Sequence, residues 1–139
     1  MRILIDANVP LNVWLKKRPM VMDSAAVLRA VGNGEVQGCM TASLAMFVMV
    51  ALRRAKGAAY AKDKGNALLD IITLIPMPMT VLRAGLTDGW HDIEDGFQYQ
   101  AARLHGQVDF IVTNNKRHYD QAKGPMAITP KEFVAKHLK

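Results

Sequence analysis

The feature that most constrains this chain is an alternation: short apolar runs of strand length recur between longer stretches with helical patterning. Ile3, Leu4 and Ile5 form the first run, Ile71–Ile75 another, Phe110–Val112 in DFIVTNN a third, and Ala127–Ile128 a last short one. Strands separated by helices cannot pair through tight hairpins; they are brought side by side by crossovers, in parallel, with helices covering both faces of the sheet. The expected fold is therefore α/β, a three-layer sandwich around a central, mostly parallel sheet of four to five strands. With 139 residues and no repeat, low-complexity tract or linker, a single domain is expected over residues 1–139.

The helices can be placed from their punctuation. Pro10 suits the first turn of a helix, and Pro19 would stop it after Lys16-Lys17-Arg18. Asp23 or Ser24 reads as the N-cap of a helix over 25–31, with Gly32-Asn33-Gly34 as its exit, followed by a short strand across Glu35–Gly38. TASLAMFVMVALRRAKG predicts a helix from a Thr41 or Ser43 cap to Gly57, apolar nearly all round and hence a central core helix. Lys62–Asp70 predicts another helix, Ile71–Ile75 a buried strand, and the segment after Pro78 a helix ending at Leu86. WHDIEDGFQYQAARLHG reads as one helix with acids at its start and Arg103 and His105 near its end, the polarity a helix dipole favours. Thr129 caps the last helix, TPKEFVAKHLK.

Composition narrows the partners. A net charge of +6 favours an anionic partner, nucleic acid first. Cys39 is the sole cysteine, so an internal disulfide and a cysteine-based zinc site are excluded, and a small buried hydrophobe is expected there. The apolar stretch at 42–52 is too short to span a bilayer. No secretion-type segment precedes Ile3, so the expected compartment is the cytoplasm.

Asp6 is where chemistry enters. A carboxylate directly after Ile3-Leu4-Ile5 marks the carboxyl end of a buried strand, the edge where open α/β sheets bind ligands. Two other polar clusters belong on that edge: Asp92, Glu94 and Asp95 at the start of a helix, and Thr113, Asn114 and Asn115 after a late strand. Asp92 and Asp95 are three apart and can project toward a common point from one helical turn. With Asp6 they would make an oxygen-rich site suited to Mg²⁺ or Mn²⁺. Each also has an ordinary structural use: Asp92 as an N-cap, Glu94 and Asp95 in the helix dipole, Asn115 in a turn. The four histidines show no HExxH spacing, and GxGxxG, Walker A and GxSxG motifs are absent.

The order of an early DxN after a strand, DIEDGFQYQAA past the middle and DFIVTNNKRHY toward the end resembles the PIN domain, over nearly the full chain. PIN domains are small α/β nucleases, many of them ribonuclease toxins paired with an antitoxin. The resemblance implies a metal-dependent endoribonuclease using Mg²⁺ or Mn²⁺, with RNA as substrate and an antitoxin protein and a homodimer as partners. It assigns Asp6, Asp95, Asp92 and Asn115 to the metal and catalysis, with Asn8, Thr113 and Glu94 in support, and Lys116 and Arg117 holding the RNA backbone. Two positions depart from the pattern. Phe47 stands where many relatives carry an acid or amide, and Asn115 where many carry Asp. The alternative is therefore a catalytically impaired PIN-like module that binds RNA or protein. A phosphoacceptor switch lacks its central acid, and a DxD phosphatase would need an acid at Asn8.

Overall fold

In the computed structural model, which describes residues 1–138, β1 (Arg2–Ile5), β2 (Gln37–Thr41), β3 (Ile72–Ile75), β4 (Phe110–Val112) and β5 (Met126–Ile128) form one sheet in the order β3-β2-β1-β4-β5. Every neighbouring pair is parallel. Seven α-helices flank it among the described residues: α1 (Asn8–Trp14), α2 (Val21–Gly32), α3 (Ala42–Lys56), α4 (Ala58–Ile71), α5 (Met79–Thr87), α6 (Ile93–Ala101) and α7 (Pro130–His137). The α/β sandwich read from the sequence is the observed architecture, with the sheet wholly parallel.

β1 lies at the centre, and its Ile3, Leu4 and Ile5 are fully buried. Burial on both faces is why this strand reads as a continuous apolar run rather than an alternating one. From β1 the chain builds outward through β2 and β3, then returns to the other side of β1 with β4 and β5. The order reverses between β1 and β4, and the crevice at their carboxyl ends is the topological switch point. Asp6 and Thr113 are the first residues beyond those ends.

Several elements differ from the sequence reading, each for a physical reason. β2 runs over Gln37–Thr41 rather than 35–38, because Cys39 and Met40 are fully buried sheet residues and Thr41 both ends the strand and caps α3 through its hydroxyl. Cys39 is buried as expected, its thiol 3.3 Å from the Ile3 carbonyl. β3 is not a buried strand: it is the sheet edge, and Thr73 and Leu74 are exposed. α1 stops before the basic trio, with Lys16 left-handed at φ 52°, and does not run on to Pro19. α2 begins at Val21, ahead of the proposed caps, and Ser24 is instead buried, where its hydroxyl meets the Asn114 amide at 3.3 Å. α3 is not a central core helix. Leu44, Ala45, Val48 and Leu52 are buried, whereas Met46, Phe47 and Val50 are exposed. α6 closes at Ala101, and a π-helical turn, Ala102–Gly106, carries the chain on to Gln107, which is left-handed at φ 51°.

The carboxyl end of the chain is anchored by chemistry visible in TPKE. Thr129 accepts from the Glu132 amide and Glu132 from the Thr129 amide, a complete capping box with Pro130 in the first turn of α7. Phe133 is fully buried and meets Phe110 of β4 edge to face at 6.5 Å between centroids, fixing α7 over the sheet.

Candidate active site

Three chain segments meet at the switch point. Asp6 leaves β1 and is held by its neighbours: Oδ1 accepts from the Ala7 amide at 2.7 Å, and Oδ2 accepts from the Thr113 hydroxyl at 2.7 Å and the Asn8 amide nitrogen at 3.3 Å. Thr113, fully buried, also accepts from Asn8 Nδ2 at 3.1 Å and from the Asn115 amide at 3.0 Å. Asn8 Oδ1 accepts from the Asn114 amide at 3.0 Å. Asn8 and Thr113 thus lock the ends of β1 and β4 together and orient Asp6; their polar atoms are spent on that framework. Burial nevertheless wins over these bonds and pushes the Asp6 carboxyl above the usual carboxylate range.

The second acid comes from α6. Asp92 caps the helix, its Oδ1 accepting from the Asp95 amide at 3.0 Å, and this turn sets Asp95 toward Asp6. The Asp95 carboxyl is raised to about 6, first by desolvation, then by the charges of Asp92 and Asp6. His118 Nδ1 lies 3.2 Å from its Oδ2, an ion pair when the imidazole is protonated, and it works against those effects. Two desolvated acids beside a single histidine form a site that a cation would stabilise.

Asp6, Asp95, Glu94 and Asn115 all line one cavity of about 420 Å³, with Asn8 and Gln98 also in its wall. Phe47 lines it too, so α3 presents a phenyl ring inside the acid-bearing cavity. Asp92 does not line this cavity. It faces an adjacent depression with His91, Arg117 and His118. Arg117 is open to that depression, whereas Lys116 is turned away to α7, its Nζ 3.1 and 3.2 Å from the two carboxylate oxygens of Glu132. Of the residues read from sequence, Asp6, Asp95, Glu94, Asn115, Asn8 and Thr113 come together; Asp92 and Arg117 border them; Lys116 stands apart.

Two neighbours were not legible as site residues. His118, three residues after Asn115, is the one basic side chain in ion-pairing distance of Asp95 among the described residues. Tyr119 is buried beside the Asp95 carboxyl, and burial first, then the charges of Asp6, Asp95 and Asp92, raise its ionisation far above the ordinary range. Its ring meets Trp90 edge to face, and Trp90 stacks on Tyr99 at 4.7 Å. A signal for both existed only in their place three and four residues after Asn115.

The donor set decides which cation suits it. Among the described residues no three acidic, histidine or cysteine side chains converge as a metal cage. Two carboxylates with an amide oxygen match Mg²⁺ or Mn²⁺, hard ions that keep several waters and are held through one or two carboxylates. Asp6 and Asp95 would hold such an ion, with Asn115 beside them.

An open, all-parallel α/β domain with paired acids at the switch point of its sheet is the class these residues define. The PIN-domain profile matches residues 2–117, and the chain belongs to the PIN-domain family, whose members are typically nucleases and generally use divalent metals. The fold is similar to that in the crystal structure of VapBC2 from Rickettsia felis bound to a DNA fragment from their promoter, with a TM-score of 0.68 and 10% identity over 93% of this chain and 98% of that one. It is similar also to a toxin-antitoxin complex from Klebsiella pneumoniae, with a TM-score of 0.66 and 16% identity over 91% and 96% of the two chains. No curated protein matches the sequence. Among the described residues, no helix is long and apolar enough to cross a membrane.

Proposed function

We propose that this PIN domain is a metal-dependent endoribonuclease that hydrolyses RNA phosphodiester bonds, and that it serves as the toxin of a toxin-antitoxin pair. The observation that carries the reading is the pair Asp6 and Asp95, desolvated and mutually repelling in one cavity. Family membership and the folds it shares with toxin-antitoxin proteins support it.

In this reading Asp6 and Asp95 would hold Mg²⁺ or Mn²⁺, with Asn115 and Glu94 beside them. When bound, such an ion would supply an activated water and an offset to the charge on the scissile phosphate. Thr113 and Asn8 fix the Asp6 carboxylate so that it needs no reorientation. Asp92 holds the turn that presents Asp95. Arg117 meets the RNA backbone from the adjacent depression, an interaction that gives affinity without sequence choice. Lys116 belongs to α7 in this geometry and contributes only if RNA draws it from Glu132.

The apolar side chains left exposed on α3, α4 and α5, among them Met46, Val50, Leu69, Met79 and Leu86, suit cover by an antitoxin or by a second copy of the chain. A second reading, a PIN module that binds RNA without cutting it, is favoured by one observation, the phenyl ring of Phe47 in the acid cavity. Incubation of single-stranded RNA with Mn²⁺ separates the two. Cleavage is expected in the wild type and is expected to fall at least a hundredfold in Asp6→Asn and Asp95→Asn; undiminished cleavage in the folded variants would sink the assignment.

A further inference from the structure

The cavity that holds the acids has a second character. Besides Asp6, Glu94, Asp95 and Asn115 it is lined by Leu11, Leu44, Phe47, Met77, Leu82 and Phe97. Phe47 is 56% exposed and Leu82 40% exposed, an unusual allowance for apolar groups inside a concave site. The helix dictates it: Phe47 lies one turn beyond Ser43 on α3, and both face the cavity while Val48 enters the core and the buried Leu44 borders both. We propose that Phe47 and this apolar lining form a stacking subsite for one nucleobase of single-stranded RNA, that of a nucleotide adjoining the phosphate at the acid cluster. The inference rests on the nuclease reading for the identity of that phosphate.

A nucleotide is the ligand that matches both halves of the lining. It presents a flat apolar face and, on the same small frame, an anionic phosphate that a divalent ion held by Asp6 and Asp95 would join to the acids. The cavity, about 420 Å³, lies in the size range of small-ligand sites. A purely apolar ligand would leave Asp6 and Asp95 unmatched, and a free phosphate would leave the rings and methionine bare. Aromatic side chains recognise splayed single-stranded bases in this way.

The polar atoms in the lining also limit what the subsite can read. Gln98 accepts from the Thr41 hydroxyl at 2.6 Å and donates to Ser43 Oγ at 2.9 Å, so its amide is already committed to the framework. The apolar wall itself therefore offers a face rather than hydrogen-bonding groups. Purines, with the larger face, are expected to bind more tightly than pyrimidines.

Fluorescence anisotropy with short labelled oligoadenylates tests this, in Ca²⁺ in place of Mn²⁺ so that an ion can still join phosphate to the acids, with gels to show that the RNA remains intact. Oligomers carrying a single abasic ribose at each position in turn are compared with the parent. In the wild type, one abasic position is expected to weaken binding about tenfold. Phe47→Ala is expected to bind the parent about tenfold more weakly and to be indifferent to that abasic position, while Phe47→Trp retains the base dependence. Phe47 is exposed, so these variants keep the fold, and circular dichroism checks it. Equal binding of parent and abasic RNA by the wild type, or undiminished base dependence in Phe47→Ala, overturns the subsite; the second result is what a wall reserved for a protein partner predicts. Base-dependent binding without any Mn²⁺-dependent product would leave the subsite standing and remove the nuclease reading. Cleavage without base dependence would do the reverse.

Discussion

Replacing Asp95 by Asn should stabilise the metal-free protein while weakening its response to metal. The Asp95 carboxyl ionises near 6 in the fold and near 4 when unfolded, because burial and the charges of Asp92 and Asp6 oppose its anion. Between those values the folded state keeps a proton that the unfolded state releases, so stability falls as pH rises through this window and the loss is complete above it. Two pH units correspond to about 3 kcal/mol, which partial solvent access cuts to about 2. Removing a negative charge from the first turn of α6 gives back about 0.3–1 kcal/mol of dipole stabilisation. The net expectation is a gain of about 1 kcal/mol at pH 7.5, or about 4 °C in melting temperature for a chain of this size, in chelator. At pH 4 the gain should vanish, since the wild-type carboxyl is then protonated. Saturating Mn²⁺ should raise the melting temperature of the wild type and do much less for the variant, because only a native-state ligand shifts unfolding. A variant destabilised at pH 7.5, or stabilised equally at pH 4, would refute the picture of Asp95 as a repelled, desolvated acid.

The remaining predictions concern the framework. Thr113→Val keeps shape but removes the hydroxyl that donates to Asp6 and accepts from Asn8 and Asn115; urea unfolding should show a loss of about 1–3 kcal/mol, and Mn²⁺ titration a weaker site, with unchanged stability counting against the network. Thr129→Ala opens the capping box of α7 and should cost about 1 kcal/mol by the same unfolding assay without altering Mn²⁺ affinity, a separation that fails if α7 contributes to the site.

How far the sequence could be read depended on whether a property was local. The alternation of apolar runs with helical segments requires only short-range periodicity, and it led directly to the parallel sandwich. Thr129 followed by Glu132 named its own cap. Asp6 was legible because the chain's most apolar run ends on a carboxylate. Edge and centre strands were not separable: IITLI is as apolar as RILI, yet β3 has one neighbour where β1 has two, and nothing in the five residues records that. The same limit misplaced α3 in the core. A helix apolar on several faces signals contact with something, and Met46, Phe47 and Val50 meet solvent in the isolated chain. Tyr119 stayed invisible, and His118 read more readily as a solvated loop histidine than as a site residue, because a 3-10 turn, Lys116–Tyr119, brings them to Asp95, a tertiary placement with no sequence period.

Phe47 ties the electrostatics of the site to its shape. Asp6 is already pushed toward protonation by burial, and Asp95 by burial and by the charges of Asp92 and Asp6. A further carboxylate at position 47, in the same cavity, would add like charge in a partly desolvated space and raise both again, until a cation arrived to offset all three. A phenyl ring there removes that repulsion at the cost of one oxygen ligand. The expected result of that exchange is a more stable metal-free protein with a lower affinity for the ion. An ion that retains most of its waters tolerates the loss better than one that requires a full protein cage. What the cavity acquires is an apolar plane beside the acids, and in the proposed reading a stacked base would add to substrate binding there. Phe47→Glu separates these effects: tighter Mn²⁺ binding with a lower melting temperature in chelator is expected from the charge, and the loss of base-dependent RNA binding from the ring.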